Sequence, residues 1–247
     1  LVVISIIALL LAILIPTLTK AREQAKAVLC KANLRQWSYV YDMYLNDNNG
    51  FFSSGVGTEG LWVDALRDHY NNEGKLRMCP KTTKTATDVG LFWHAARHPL
   101  IAWGRYISRK YGPDDYYGSY GQNLWLYNPP PGETAWGADP KKMWRGITRL
   151  ITPSNVPVFA DCTWRDGAPD DVDLPPEYPG DWNHELIDDM RRFCIDRHGG
   201  YVNVLFGDWS VRKVGLKELW KLKWHPQYNT NVRVSHWPAW MRKYKDY

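Results

Sequence analysis

The chain has 247 residues, 45% of them hydrophobic, with 31 Lys or Arg against 26 Asp or Glu and a net charge of +5. This length allows one large domain or two small ones with a buried core, and the near-balanced charge argues against a nucleic-acid binder working through a broad basic face. The aromatic residues are 14 Trp and 15 Tyr but 6 Phe, so much of the apolar surface carries a polar handle suited to interfaces as well as cores.

The first fifty residues form one helical signal. LVVISIIALLLAILI, with Ser5 as its sole polar side chain, precedes Pro16, and the apolar run reaches Leu18. That is about the length needed to cross a hydrocarbon core at ~1.5 Å per residue. Pro16 lacks an amide proton and crowds the preceding turn, which predicts a kink or local melting rather than an end. Beyond it, Leu29, Asn33, Trp37, Val40, Tyr41 and Tyr44 recur at three- and four-residue steps, while Lys20, Arg22, Glu23, Lys26, Lys31 and Arg35 mark the opposite face. The helix is expected to end at Asn46-Asp47-Asn48-Asn49-Gly50, residues that tolerate left-handed geometry. The expected organisation is a helical segment over 1–50 and a globular head over 51–247.

In the head, Leu61 to Leu66 reads as a short helix, and Cys79-Pro80 as an extended corner within reach of the long helix. His94-Ala-Ala-Arg-His98 suggests a helical turn with i, i+4 histidines, cut short by Pro99. Leu124 to Tyr127 and Val156 to Asp161 are expected strands, and Asp166 to Asp181 a long surface loop. The clearest β signal is His198-Gly199-Gly200 followed by Tyr201 to Phe206, a Gly207-Asp208 turn and Trp209 to Val214. Leu216 to Trp220 closes it as a helical turn.

Charge is segregated: ten carboxylates lie between Asp161 and Asp189, and nine Lys or Arg between Arg212 and Tyr247. The two regions either attract each other or are solvated separately. Within the acidic loop, Asp166, Asp170, Asp171 and Asp173 offer carboxylates of the kind that bind calcium, although their spacing is not that of an EF-hand. Cys30, Cys79, Cys162 and Cys194 show no zinc or redox spacing. An even cysteine count behind a membrane-directed segment favours disulfides, in chain order Cys30 with Cys79 and Cys162 with Cys194, although three connectivities are open and free buried thiols are the alternative. Trp136, Trp144, Trp164, Trp182, Trp237 and Trp240 sit in polar or Pro-rich surroundings, which suits packing between heads or, less well, carbohydrate adhesion. His198 and Asp208 supply no nucleophile or second histidine at ligand spacing, so hydrogen bonding that holds Gly199-Gly200 against the hairpin is expected in place of catalysis.

The long helix resembles the N-terminal segment of type IV pilins and pseudopilins. Leu1-Val-Val-Ile-Ser-Ile-Ile-Ala matches the family's hydrophobic core, and Pro16 falls where pilins carry their helix-melting proline. Ala21-Arg22-Glu23-Gln24-Ala25, Cys30-Lys-Ala-Asn33-Leu34-Arg35-Gln36, Tyr44-Leu-Asn-Asp47 and Arg77-Met-Cys79-Pro80 are similar to the large prepilin-like proteins of planctomycete-type bacteria, as are Ser119-Tyr120-Gly121 and Leu222-Lys223-Trp224-His225. Those proteins carry a histidine, nine residues and then Asp-Gly; His198 and Asp208 match, but Trp209 replaces the glycine, which puts a turn with positive φ there in question. The family's cleavage glycine, mature N-terminal phenylalanine and following glutamate have no counterpart here, and the natural chain is expected to begin a few residues before Leu1.

The resemblance implies an α+β, pilin-like fold: a long N-terminal helix packed on an antiparallel sheet, with large loop insertions. It implies a structural subunit, not an enzyme, that polymerises into an extracellular type IV pilus-like filament on the bacterial cell surface. Leu1, Val2, Val3, Ile4, Ile6, Ile7, Leu9, Leu10, Leu11, Ile13, Leu14, Ile15 and Pro16 would form the polymer core. Its partners would be copies of itself, a prepilin peptidase, the pilus or type II secretion assembly machinery, and the inner membrane before assembly. No cofactor is implied apart from the calcium considered above. The alternatives are a pseudopilin of a type II secretion system and a membrane-anchored periplasmic domain that binds carbohydrate or an adhesion partner.

Overall fold

The computed structural model describes residues 2–90, 96–107, 110–111, 115–181 and 188–247, with Val2, Arg105, Tyr106 and Asp115 described in their backbone alone. Leu1, His94 and Trp182, singled out above, lie outside the described residues. Helix α1 (Val2–Asp47) runs for 46 residues, about 69 Å at ~1.5 Å per residue. It passes through Pro16 unbroken, so the expected local melting is absent from this structure. Pro16 still deprives the Ala12 carbonyl of its helical amide. Around it, the Thr17 hydroxyl bonds back to the carbonyls of Ile13 (3.1 Å) and Leu14 (2.8 Å), and that of Thr19 to Ile15 (2.9 Å).

Residues 3–22 are all exposed. From there burial follows a three-four alternation through Ala27, Cys30, Leu34, Trp37, Tyr41 and Tyr44. Trp37, Val40, Tyr41 and Tyr44 of the expected stripe are buried, but at its start Leu29 is 55% exposed and Cys30 takes its place against the head. The Trp37 ring packs against Trp62, Tyr70 and Phe159 at centroid distances of 5.0–5.1 Å, and its indole N–H donates to the Leu76 carbonyl at 2.9 Å. The packing boundary between stem and head therefore lies inside α1, near Ala27.

Two short helices, α2 (Trp62–Ala65) and α3 (Arg67–Tyr70), cover one flank of the stem. A three-stranded sheet of β1 (Lys84–Thr85), β2 (Ile101–Ile107) and β3 (Asp115–Gly118) follows, in the order β1-β2-β3. The main sheet contains β4 (Tyr120–Asn123), β5 (Pro157–Asp161), β6 (Asp166–Gly167), β7 (Tyr201–Phe206) and β8 (Val211–Gly215), ordered β6-β4-β5-β7-β8. Its inner pairs are antiparallel, and β6 joins β4 in parallel at one edge, making the sheet mixed rather than wholly antiparallel. Helix α1 lies on β7 and β8. The class is α+β, with one long helix on a mixed five-stranded sheet.

Two elements depart from expectation. The strand expected at Leu124 to Tyr127 ends at Asn123, and Leu124–Leu126 is a 3₁₀ turn. The buried Asn123 side chain accepts the Trp125 N–H at 3.2 Å and donates to the carbonyls of Pro157 and Trp224 at 3.0 and 2.8 Å, which stops the ladder. In the β7–β8 turn, Trp209 does adopt the left-handed conformation (φ 64°) despite its side chain. Its ring stacks on Tyr41 (6.5 Å, 25°), and its carbonyl accepts from Arg35 at 2.7 Å. The strain, on the order of 1 kcal/mol, is offset by this contact with α1.

The acidic loop and the basic tail do meet, though seldom through ion pairs. Asp181 and Asp188 bind Arg191, and Asp189 binds Arg192 of the short helix α4 (Met190–Phe193), so these acids find cations from their own region. The tail reaches the loop with neutral donors: Trp220 and Trp240 give their indole N–H to the carbonyls of Asp173 and Pro176, both at 2.9 Å. Of the tryptophans expected at the surface, Trp144 is buried and Trp164, Trp237 and Trp240 are half-buried, leaving Trp136 as the exposed one among those described.

Candidate functional site

Two features stand out once the fold is in place. The first is the free half of α1. Val3, Ile4, Ile6, Ile7, Leu9, Leu10, Leu11, Ile13, Leu14 and Ile15 are each at least 47% exposed, and no described part of the head covers them. This segment is long and apolar enough to cross a membrane. Past it, on the side of α1 away from the head, Val28, Leu29, Tyr39 and Met43 are also 45–60% exposed, with the exposed Arg35 and Gln36 between the two pairs. Val28 lies about 39 Å along the helix from Val2 at ~1.5 Å per residue, beyond a hydrocarbon core of about 30 Å. Apolar surface as extensive as that of residues 3–15 is rarely left open to water.

The second feature is buried where α1 meets the sheet. Cys30 from α1, Cys79 from the corner before Pro80, Asp161 at the end of β5 and His198 ahead of β7 bring one ligand-type atom each to within 4.8 Å of one another, and all four residues are buried. Asp161 Oδ2 lies 3.1 Å from His198 Nε2 and accepts the Asn203 N–H at 2.8 Å. Cys30 Sγ lies 3.6 Å from Asp161 Oδ1, and Cys79 Sγ 3.6 Å from His198 Nε2. The Tyr120 hydroxyl sits 3.3 Å from Cys30 Sγ. Arg197, fully buried, holds the cluster from behind: its guanidinium donates to Asp161 Oδ1 (3.0 Å), the Pro99 carbonyl (2.7 Å), the Cys162 carbonyl (3.0 Å) and the Ser119 carbonyl.

These contacts set the charges. Burial opposes ionisation of Asp161, but His198 and Arg197 outweigh it and hold the carboxyl well below its usual range. Burial likewise disfavours the His198 cation, yet the adjacent Asp161 raises the imidazole to about 9. Burial lifts the Cys30 thiol well above its ordinary value. At Cys79 burial pushes the same way, but the neighbouring Cys30 thiol, His198 and Arg197 bring the group down to about 6.

A thiol, an imidazole and a carboxylate in contact suggest a cysteine nucleophile, but the geometry differs. A relay needs one ring nitrogen toward the thiol and the other toward the carboxylate. Here Nε2 faces both Cys79 and Asp161, while Nδ1 has no partner among the described residues. Cys79 is 1% exposed, and the surface cleft lined by Lys217, Trp220, Lys221 and Trp237 includes none of the four. The arrangement is four donors aimed at one interior point.

His198 and Asp208, the two residues of the hairpin signature, lie apart. They flank opposite ends of β7, a strand of six residues and about 20 Å at ~3.3 Å per residue. Asp208 is exposed and ties its own turn through the Ser210 N–H (3.0 Å) and hydroxyl (2.6 Å). Gly199 and Gly200, both with positive φ, are held by Asp196, which accepts the Gly200 N–H at 2.7 Å, rather than by His198.

Neither expected disulfide is present, although Cys30 and Cys79 do lie side by side. All four are free buried thiols. Cys162 Sγ accepts the Trp164 N–H at 3.4 Å and Cys194 Sγ lies 4.0 Å from the Leu216 carbonyl and from Met241 Sδ, so those two are not brought together. The calcium carboxylates also go elsewhere. Asp166 lies between Arg165 and Arg192, Asp170 binds Lys142 and His225, Asp171 accepts the Asn229 N–H, and Asp173 accepts those of Asp170 and Met190. His98 is exposed and accepts the Leu100 N–H through Nδ1. Sequence reasoning missed Asp161 and Arg197 as site residues; an acid at the end of a buried strand and an Arg-His pair before a hairpin were the available signals. Comparisons with protein-family models, with curated proteins and with solved structures find no match.

Proposed function

We propose that this chain is a structural subunit, not an enzyme, that polymerises through the free half of α1 into a type IV pilus-like filament outside the cell, after residence in the inner membrane. The observation that carries the reading is that α1 is one unbroken helix whose first half is left exposed by the described residues of the head and whose second half belongs to the head's core. Helices bundled from many subunits would exchange lipid for protein contacts, each large side chain contributing ~1.5–3 kcal/mol relative to exposure in water. Subunits repeating head-to-tail without closure form a helix.

The exposed side chains of Val28, Leu29, Tyr39 and Met43 favour the filament over a single-span anchor. An anchor leaves these side chains in water beyond the bilayer, whereas neighbouring subunits in a filament cover them. In this reading the partners are copies of the same chain, a prepilin peptidase and a pilus or type II secretion assembly machine. Electron microscopy of sheared cell-surface material, with mass spectrometry of its content, tests it. Uniform filaments made of this chain are expected; a chain found solely as a detergent-extracted monomer would overturn the reading in favour of the anchor.

A further inference from the structure

We infer that Cys30, Cys79, Asp161 and His198 form a structural site for a borderline-soft divalent cation of the zinc type, which fastens the stem helix to the head. The donor set is two sulfurs, one imidazole nitrogen and one carboxylate oxygen, a combination that suits zinc and not the oxygen-seeking calcium or magnesium. An ideal tetrahedron with metal–ligand bonds of ~2.0–2.3 Å has edges of about 3.3–3.8 Å. With Asp161 Oδ2 as the oxygen ligand, three edges are 3.6 Å from Cys79 Sγ to His198 Nε2, 3.7 Å from Cys30 Sγ to Asp161 Oδ2 and, slightly shorter than the ideal, 3.1 Å from His198 Nε2 to Asp161 Oδ2, and all four ligand atoms lie within 4.8 Å of one another.

Charge and support agree with this assignment. Two thiolates and one carboxylate around a dication leave one negative charge, which the buried Arg197 guanidinium on Asp161 balances. Asp161 is oriented by Arg197 and the Asn203 N–H, and the Tyr120 hydroxyl approaches Cys30 Sγ, as groups around metal ligands do. The four ligands come from α1, the corner at Cys79, β5 and the segment before β7, so one ion would join four distant stretches of chain. Binding would release to solvent whatever protons Cys30 Sγ, Cys79 Sγ and His198 Nε2 carry in the metal-free state, since each ligand atom must be deprotonated to bind the ion. The inference stands apart from the filament reading, since an anchored monomer would hold the ion equally well.

The test uses the full chain, reduced, in detergent micelles. Metal content by mass spectrometry and the absorption spectrum after exchange with Co(II) are read for the parent, Cys79→Ser and Cys162→Ser. The parent and Cys162→Ser are expected to hold about one ion per chain, with thiolate-to-cobalt charge transfer and the intense visible bands of a tetrahedral site; Cys79→Ser is expected to lose the charge transfer from that sulfur and most of the ion. Should Cys79→Ser fail to fold, alkylation of the parent decides: a chelator is expected to speed labelling of Cys30 and Cys79 several-fold, with Cys162 and Cys194 unchanged. A reduced parent without thiolate–cobalt charge transfer overturns the inference. So does a Cys79→Ser spectrum equal to the parent's, unchanged labelling on chelation, or a Cys30–Cys79 disulfide whose reduction creates no metal binding.

Discussion

The two halves of α1 share one backbone and differ in almost everything else. Residues 3–22 are exposed all round, their apolar side chains arranged without a face, whereas Ala27 to Leu45 alternate between the head's core and solvent with a helical period. A helix apolar on every side asks to be surrounded; a helix apolar on one face asks to be docked. The second half finds its partner in the chain that encodes it. In the proposed reading, the first half's partner is a membrane and then other copies.

The comparison can be broken most forcefully at Trp37. Trp37→Ala should cost the head ~3–5 kcal/mol by leaving a cavity among Trp62, Tyr70 and Phe159. Leu10→Ala in the free half should change head unfolding by under ~0.5 kcal/mol while reducing assembly. Urea unfolding of the two variants in micelles, followed by Trp fluorescence, makes the contrast direct, and equal losses would mean that the halves are not independent. A loss of similar size, ~3–5 kcal/mol, is expected for Arg197→Met, which strands a buried Asp161 carboxylate beneath the docked half.

A smaller effect concerns pH, away from the thiol cluster. Burial raises the Asp173 carboxyl to about 8, against an ordinary value near 4. The folded state therefore keeps a proton that the unfolded chain releases at lower pH, and stability should fall as pH rises from about 4 to about 8. Asp173→Asn keeps an acceptor for the N–H groups of Asp170 and Met190, so it should be near neutral at pH 5 and stabilising at pH 8. Thermal unfolding at both pH values checks the sign; a variant destabilised equally at both would contradict it. The smallest change expected is Trp209→Gly, which relieves the left-handed strain but gives up the stacking on Tyr41, for a net loss of ~1 kcal/mol in the same assay.

Local pattern made much of this fold legible. The helix, its end near Gly50 and the Tyr201 hairpin follow from periodicity and turn residues that act over a few positions. The strand at Tyr120 was displaced because its end is set by Asn123 reaching Pro157 and Trp224, partners remote in sequence. The start of the buried stem face has a similar origin: Leu29 is more apolar than Cys30, but Cys30 meets Tyr120 and Asp161. The buried cluster was half visible. The sequence suggests Cys30 and Cys79 as a staple and His198 as a structural residue, but nothing local ties any of them to Asp161. Asp161 lies 37 residues before His198 and reaches it solely because β5 pairs with β7.

The central claim is that the free half of α1 meets copies of itself. A photo-crosslinking amino acid placed at Leu10 in cells tests it most directly, since Leu10 is 61% exposed and far from the head. The account predicts a ladder of crosslinked multimers of this chain that persists in sheared, membrane-free material. Monomers carrying lipid adducts, with no multimers in either fraction, would contradict it.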